Sequence, residues 1–198
     1  MALALCIPVL VVVPGCGSGC DESVTPTPSA VTSAERKELV ELAVSAEQLP
    51  PLDRTSLSLT SDDVVAQADL PELRETLASA GFRGGLKLEY RGVSPRLTGV
   101  ESQVLAFASD PGAAEFTRYL AEHAGAFFGE PIVVSSVVLD GREAWRFDPP
   151  VCDCAGAQPL SAGAVQVGPN LVVLQITGPE ADAMMMKSLL AAALTATT

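Results

Sequence analysis

Two hairpin signals place the strongest constraint on what this chain can fold into. Residues 132–139 and 142–147 are rich in β-forming side chains and flank Asp140-Gly141, a pair typical of a type I′ turn. Two further apolar runs are separated by Gly168-Pro169-Asn170, another turn sequence. Strands joined by such short connections pair antiparallel, so the second half of the chain predicts an antiparallel sheet.

Periodicity elsewhere adds strands before these hairpins and helices around them. Apolar and polar residues alternate over residues 86–90, and residues 97–107 form the next β-rich run. Asp110-Pro111 begins a helical pattern that reaches Phe128. Further helices are predicted at residues 61–81 and 178–193, and further strands at residues 164–167 and 171–177. We therefore predict an α+β fold, an antiparallel β-sheet of about six strands packed against two or three helices.

The amino-terminal segment indicates export. Residues 1–15 carry no charge, and an apolar run of about 12 residues is too short to span a bilayer but suits a secretory signal peptide. The run ends in Val13-Pro14-Gly15-Cys16, which resembles the lipobox of bacterial lipoproteins. The resemblance implies that Cys16 carries acyl chains such as palmitate and anchors the protein to the cell membrane on its extracytoplasmic face. Two alternatives stay open, lipidation at Cys20 and an apolar first strand.

The rest of the chain divides into three segments. Residues 16–30 are rich in Pro, Ser and Thr and are expected to form a flexible, lipid-anchored linker. Residues 31–51 contain a capping box at Thr32 and Glu35 and are expected to form a helical stalk. Residues 52–198 are expected to form the α+β globular domain.

Charge and the inventory of reactive groups exclude several function classes. The net charge of −12 argues against nucleic acid as a partner, because binding phosphates needs clustered Lys and Arg. His123 is the one histidine in the sequence, and it shares an apolar helical stripe with Leu120 and Phe127. A half-buried structural histidine is therefore expected, and no Walker loop or Gly-x-Ser-x-Gly elbow is present. We predict a protein that is not an enzyme, with no cofactor and no metal.

Three cysteines remain after the signal peptide and Cys16 are set aside. Exported cysteines tend to pair, so Cys152 and Cys154 are expected to bond each other, or one of them to bond Cys20. The same Cys152-Asp153-Cys154 loop supports an alternative function, a redox or metal-handling protein of the cell envelope.

Element order over residues 86–193 resembles the extracellular sensor-type domains and small lipoproteins of actinobacteria that share the fold of the photosystem protein PsbP. The resemblance implies a cell-envelope domain that binds a ligand between its sheet and its helices. We predict a non-catalytic binding or interaction domain whose ligand, a small molecule or a protein, is unknown. The aromatic residues expected to line its cleft are Trp145, Phe147, Phe107 and Tyr90.

Arginines offer a further candidate site. Arg142 and Arg146 share one strand face and, with Arg91 and Arg96, are able to form a basic cluster that selects an anion. The alternative is that these arginines pair across strands with acidic neighbours such as Glu89 or Glu101.

Overall fold

The computed structural model describes residues 31–92, 94–149 and 159–195. Within these ranges lie seven strands and six α-helices. The strands are β1 (Asp53–Leu59), β2 (Phe82–Arg91), β3 (Gly99–Phe107), β4 (Val133–Leu139), β5 (Arg142–Asp148), β6 (Leu160–Val167) and β7 (Asn170–Thr177). The helices are α1 (Ser33–Leu42), α2 (Ser61–Val65), α3 (Leu73–Ser79), α4 (Asp110–Glu122), α5 (Ala124–Phe128) and α6 (Ala183–Thr195). None of these helices is long and apolar enough to cross a membrane.

All seven strands form one antiparallel sheet in the order β1-β2-β3-β7-β6-β5-β4. Strands β1 to β3 make one meander and β4 to β7 make a second, and the pairing of β3 with β7 joins the two. The predicted α+β class with an antiparallel sheet is confirmed. The strand and helix numbers are higher than the expected six or so strands and two or three helices.

The strand that the sequence did not predict is β1. Six of its seven residues are exposed, and Ser and Thr occupy positions where a buried strand would carry apolar side chains. Because β1 lies at the edge of the sheet, it is held mainly by main-chain pairing with β2 and needs little apolar surface.

Helices cover both faces of the sheet. We call one the α6 face, where α1 and α6 pack and where Leu88, Val172 and Leu189 belong to one buried apolar cluster. We call the other the α4 face, where α2 to α5 pack and where Leu105 and Phe116 belong to a second buried apolar cluster. Strands β3 and β7 lie inside the sheet and are covered on both faces, which explains why most of their residues are buried.

Helix α1 is part of the folded domain rather than a stalk. Leu39 and Leu42 are each 3% exposed and belong to the core of the α6 face. The next turn of chain is fixed to the sheet, because the Tyr90 hydroxyl donates to the Val44 carbonyl at 2.6 Å and the Val44 N–H donates to Ser102 Oγ at 3.2 Å. The prediction of a stalk over residues 31–51 was therefore wrong. Although α1 is mostly polar, the narrow apolar stripe formed by Leu39 and Leu42 is enough to pack it against the sheet.

The helix predicted over residues 110–128 is two helices. Ser109 caps α4 through a hydrogen bond from the Gly112 N–H, as a serine at that position is expected to do. The helical pattern breaks at His123, where φ is −114° and ψ is 22°, and α5 continues to Phe128. The break turns α5 so that Phe128 reaches the sheet at Phe147.

Candidate functional site

A cavity of about 230 Å³ lies on the α4 face, between the sheet and the helices that cover it. Its floor is polar and comes from β2, β3 and β7, while its wall is apolar and comes mostly from α2, α4 and α5. The floor residues are Lys87, Glu101, Gln103 and Gln175, joined at one side by Gln67; the apolar residues are Val64, Leu105, Phe116, Leu120, Phe127, Phe128 and Val173.

Strand alternation and register assemble the polar floor. In β2 every second residue, including Leu88, faces the α6 core, which turns Lys87 and Glu89 to the α4 face. Antiparallel register then sets Glu89 opposite Glu101, and Glu101 opposite Gln175. Two consecutive strands and a third, β7, that is distant in sequence thus place polar side chains side by side.

Lys87 is the centre of the floor. Its Nζ lies 2.8 Å from Glu89 Oε1 and 2.9 Å from Glu101 Oε2, and its side chain is 17% exposed. Burial by itself lowers the pKa of Lys87, but the hydrogen bonds to the two carboxylates outweigh it and the pKa is raised. The hydrogen bond from Lys87 in turn lowers the pKa of Glu89. Lys87 and Glu89 are therefore both charged at neutral pH.

Gln103 extends this network and is 7% exposed. Its Nε2 donates to Glu101 Oε1 at 2.7 Å and to Gln67 Oε1 at 2.9 Å. The side-chain amide of Gln175 makes no hydrogen bond to the described residues. The floor thus combines amides held by internal bonds with one amide that is open to a ligand.

Aromatic contacts hold the wall from behind. Phe116 lies against Phe107 with ring centroids 5.4 Å apart, and Phe128 stacks on Phe147 at 4.9 Å. Phe107 is 2% exposed and Phe147 is fully buried. Because the supporting rings are buried, the wall rings that face the cavity are pre-positioned.

The four aromatic residues predicted to line a cleft do not share one. Tyr90 faces the α6 core, whereas Phe107, Phe147 and Trp145 belong to the α4 side. The register pairs Tyr90 with Val100, and Phe107 has the opposite strand parity to Val100, so Tyr90 and Phe107 lie on opposite faces. The corrected assignment makes Phe107 and Phe147 supports of the cavity wall rather than its lining.

His123 lies outside this cavity. Its ring stacks on Tyr119 with centroids 4.2 Å apart, and Nδ1 lies 3.0 Å from the Tyr119 carbonyl oxygen. Its Nε2 is 3.8 Å from a carboxylate oxygen of Glu72. The expected half-buried histidine with satisfied contacts is what the structure contains.

The arginines do not gather into one basic cluster. Arg146 pairs with Asp148 and Arg96 pairs with Glu180, each at 2.6 Å. Glu89 and Glu101, the acids considered as arginine partners, are bound by Lys87 instead.

The sequence analysis did not predict this network, because the alternation of Lys87 and Glu89 with apolar residues is also typical of a strand face exposed to solvent. The available signals were Gln175, a polar residue within the apolar run of β7, and the three consecutive polar residues from Glu101 to Gln103 within β3.

Several predicted sites fall outside the described residues. They are the lipidation site Cys16, its alternative Cys20, and Cys152 and Cys154 of the proposed disulfide or redox loop. Over the ranges that are described, no group of His, Cys, Asp and Glu is arranged to hold a metal ion.

Comparison with known proteins adds a fold relationship. No family model and no curated protein matches the sequence. The structure is similar to the crystal structure of the extracellular domain of PknH from Mycobacterium tuberculosis, with a TM-score of 0.50 and 10% sequence identity, over 84% of this chain and 91% of that chain. The expected likeness to actinobacterial extracellular domains is confirmed at the level of the fold.

Proposed function

We propose that this protein is a lipid-anchored, extracytoplasmic binding domain that holds a small molecule in the α4-face cavity without changing it chemically. The cavity carries the proposal, because it combines an apolar wall with a few convergent polar groups, as small-molecule sites generally do. Its wall is supported by buried aromatic rings, so little reorganisation is needed before a ligand enters.

The chemistry of the lining favours binding over catalysis. Of the described residues that line the cavity, none is a serine, cysteine or histidine. Glu89, which lies behind the lining, has a lowered pKa because Lys87 donates to it, so it is a poor general acid at neutral pH. Lys87 is held protonated by two carboxylates and is a poor nucleophile.

The proposed location draws on two separate lines of support. The lipobox-like sequence at Cys16 supplies an anchoring residue, and the fold resembles a domain described as extracellular. A net charge of −12 is repelled by anionic lipid head groups, so a covalent lipid would have to provide the tether.

A fragment titration tests the cavity. Amide resonances of Gln103, Gln175 and Phe128 are followed by NMR while mixtures of small uncharged ring compounds are added. We expect hits to shift these resonances and to leave those of α6 in place. Gln175→Phe should block binding by filling the cavity, whereas Glu122→Phe adds the same ring to the exposed side of α4 and should not. A folded protein whose cavity resonances respond to no fragment would refute the proposed site.

Acyl labelling tests the anchor. Cells of an actinobacterial host expressing the full chain are fed an alkyne analogue of palmitate, and the protein is recovered from membrane and soluble fractions. We expect label and membrane association to be lost in Cys16→Ser and kept in Cys20→Ser. Label that survives in Cys16→Ser would show that the anchor has been assigned to the wrong residue.

A further inference from the structure

The hydrogen-bonding character of the cavity floor follows from one carboxylate. Ionised Glu101 only accepts hydrogen bonds, so Gln103 must direct its NH₂ group toward Glu101 Oε1, 2.7 Å away. The same NH₂ group lies 2.9 Å from Gln67, which must therefore present its oxygen. This leaves Gln103 Oε1 as an acceptor and Gln67 Nε2 as a donor, each without a partner among the described residues.

Gln175 adds a second pair of groups to the floor. Gln175 lies directly opposite Glu101 in the pairing of β3 with β7, and it lines the cavity. Its side-chain amide makes no hydrogen bond to the described residues. An amide offers both donors and an acceptor. A ligand on this floor therefore meets donors and acceptors in alternation rather than a surface of one kind.

The charges that line the cavity cancel. Lys87 and Glu101 line it and are bound to each other at 2.9 Å. Behind them, Glu89 is bound by the same Lys87 and lies within the field of Arg91. Among the described residues that line the cavity, an anion would find no unpaired cation to bind, and a cation would have to displace Lys87 from its carboxylates. The lining therefore favours an uncharged ligand.

Size and the apolar wall restrict the ligand further. Sites for drug-sized molecules have volumes of about 300–1,000 Å³, so a cavity of about 230 Å³ suits a single ring. Aromatic rings line the wall across from the polar floor: Phe127 and Phe128 are half-buried and present most of this surface, whereas Phe116 is 1% exposed and adds little. A molecule that fits both sides has C–H groups on the face of its ring and hydroxyls along its rim, because C–H groups pack on aromatic rings and hydroxyls both donate and accept.

We propose that the α4-face cavity binds one uncharged, hydroxyl-rich ring of the size of a neutral hexose, with Gln175, Gln103 and Gln67 supplying its hydrogen bonds. This inference rests on the proposed function and deepens it. The ligand class is set by three features of the lining, namely the cancelled charges, the mixed amide groups and the aromatic wall.

Three probes with the same ring but different charge test the inference. Methyl glucoside, glucosamine and glucuronate are titrated into the protein, together with the methyl glycosides of mannose and galactose, and chemical shifts of Gln103, Gln175 and Phe128 are recorded. We expect one or more neutral glycosides to bind, and each charged analogue of a bound ring to bind at least tenfold more weakly. Gln175→Leu should weaken binding about three- to tenfold, the loss typical of one neutral hydrogen bond, and Lys187→Met, at an exposed position of α6, should not change it.

The outcomes separate the ligand class from the proposed site. Equal or tighter binding of glucuronate or glucosamine would overturn the argument from charge. Binding of phenol or indole in the cavity without binding of any neutral sugar would overturn the hydroxyl-rich class and leave the proposed function standing. If neither sugars nor apolar rings shift the cavity resonances of the folded protein, both proposals fail.

Discussion

Removing the ammonium group of Lys87 should reveal how much the cavity floor contributes to stability. Lys87→Met keeps most of the aliphatic stem and leaves Glu89 and Glu101 without their common cation. The three side chains are 17%, 25% and 19% exposed, so they lie between the surface and the interior. Breaking a fully buried pair costs about 3–5 kcal/mol and an exposed one about 0–1 kcal/mol. We expect the free energy of unfolding to fall by about 2 kcal/mol at pH 7.

Urea denaturation followed by circular dichroism measures this loss. For a urea m value of about 2 kcal/mol per molar, the midpoint should fall by about 1 M. The loss should also depend on pH. Lys87 lowers the pKa of Glu89 from its ordinary 4.5, and a lowered carboxyl pKa adds stability above pH 4.5 that disappears as the pH falls through the folded value. The difference between wild type and Lys87→Met should therefore be full at pH 7 and shrink below pH 4.5.

Two further variants make the interpretation unambiguous. Lys187→Met makes the same change at an exposed position of α6 and should alter the unfolding free energy by less than about 0.5 kcal/mol. Lys87→Met combined with Glu101→Gln should recover part of the loss, because one unpaired charge is removed. A loss in Lys87→Met that is the same at pH 7 and at pH 3.5 would refute the electrostatic reasoning and assign the effect to packing.

Three other changes test particular contacts. Tyr90→Phe leaves the buried Val44 carbonyl without its donor, and urea denaturation should show a loss of about 1–2 kcal/mol; an unchanged midpoint would mean that this contact does not hold the α1 segment to the sheet. Burial and a hydrogen bond to Glu72 raise the pKa of Tyr119 to about 12, so its absorbance at 295 nm should change near pH 12 in the folded protein and near its ordinary pKa of 10 after unfolding. A raised tyrosine pKa adds stability that is complete below pH 10 and is lost as the pH rises through 12. Titration of both tyrosines near pH 10 in the folded protein would contradict this. Gly141→Val should cost about 1–2 kcal/mol in the same urea assay, because φ is +78° there; a neutral result would mean that the turn changes type.

Local sequence signals predicted the elements whose causes are local. Asp140-Gly141 predicted its hairpin because both residues take positive φ, at 48° and 78°. The capping box of Thr32 and Glu35 predicted the start of α1 because its hydrogen bonds join residues that are only three positions apart. Strand β1 escaped prediction because its stability comes from its neighbour β2 rather than from its own side chains.

The candidate site depended on contacts between distant parts of the chain. Period-two alternation showed that Lys87 and Glu89 share a strand face, but it does not tell whether helices cover that face. Tyr90 and Phe107 looked equivalent as strand aromatics, and the register of β2 on β3 sends them to opposite faces.

Taken alone, the sequence determined the antiparallel pairing and the starts of α1, α2 and α4, because turn and cap chemistry acts over a few residues. It also supplied the predictions of export and of a lipid anchor at Cys16, which lies outside the described residues. Tertiary structure alone decided the cavity: pairing of β3 with β7 brings Gln175 beside Glu101, and the turn at His123 brings Phe128 onto Phe147. The physical reason is that a binding site is made of side chains that long-range packing brings together. No local sequence pattern shows where a cavity will remain between the sheet and the helices that cover it.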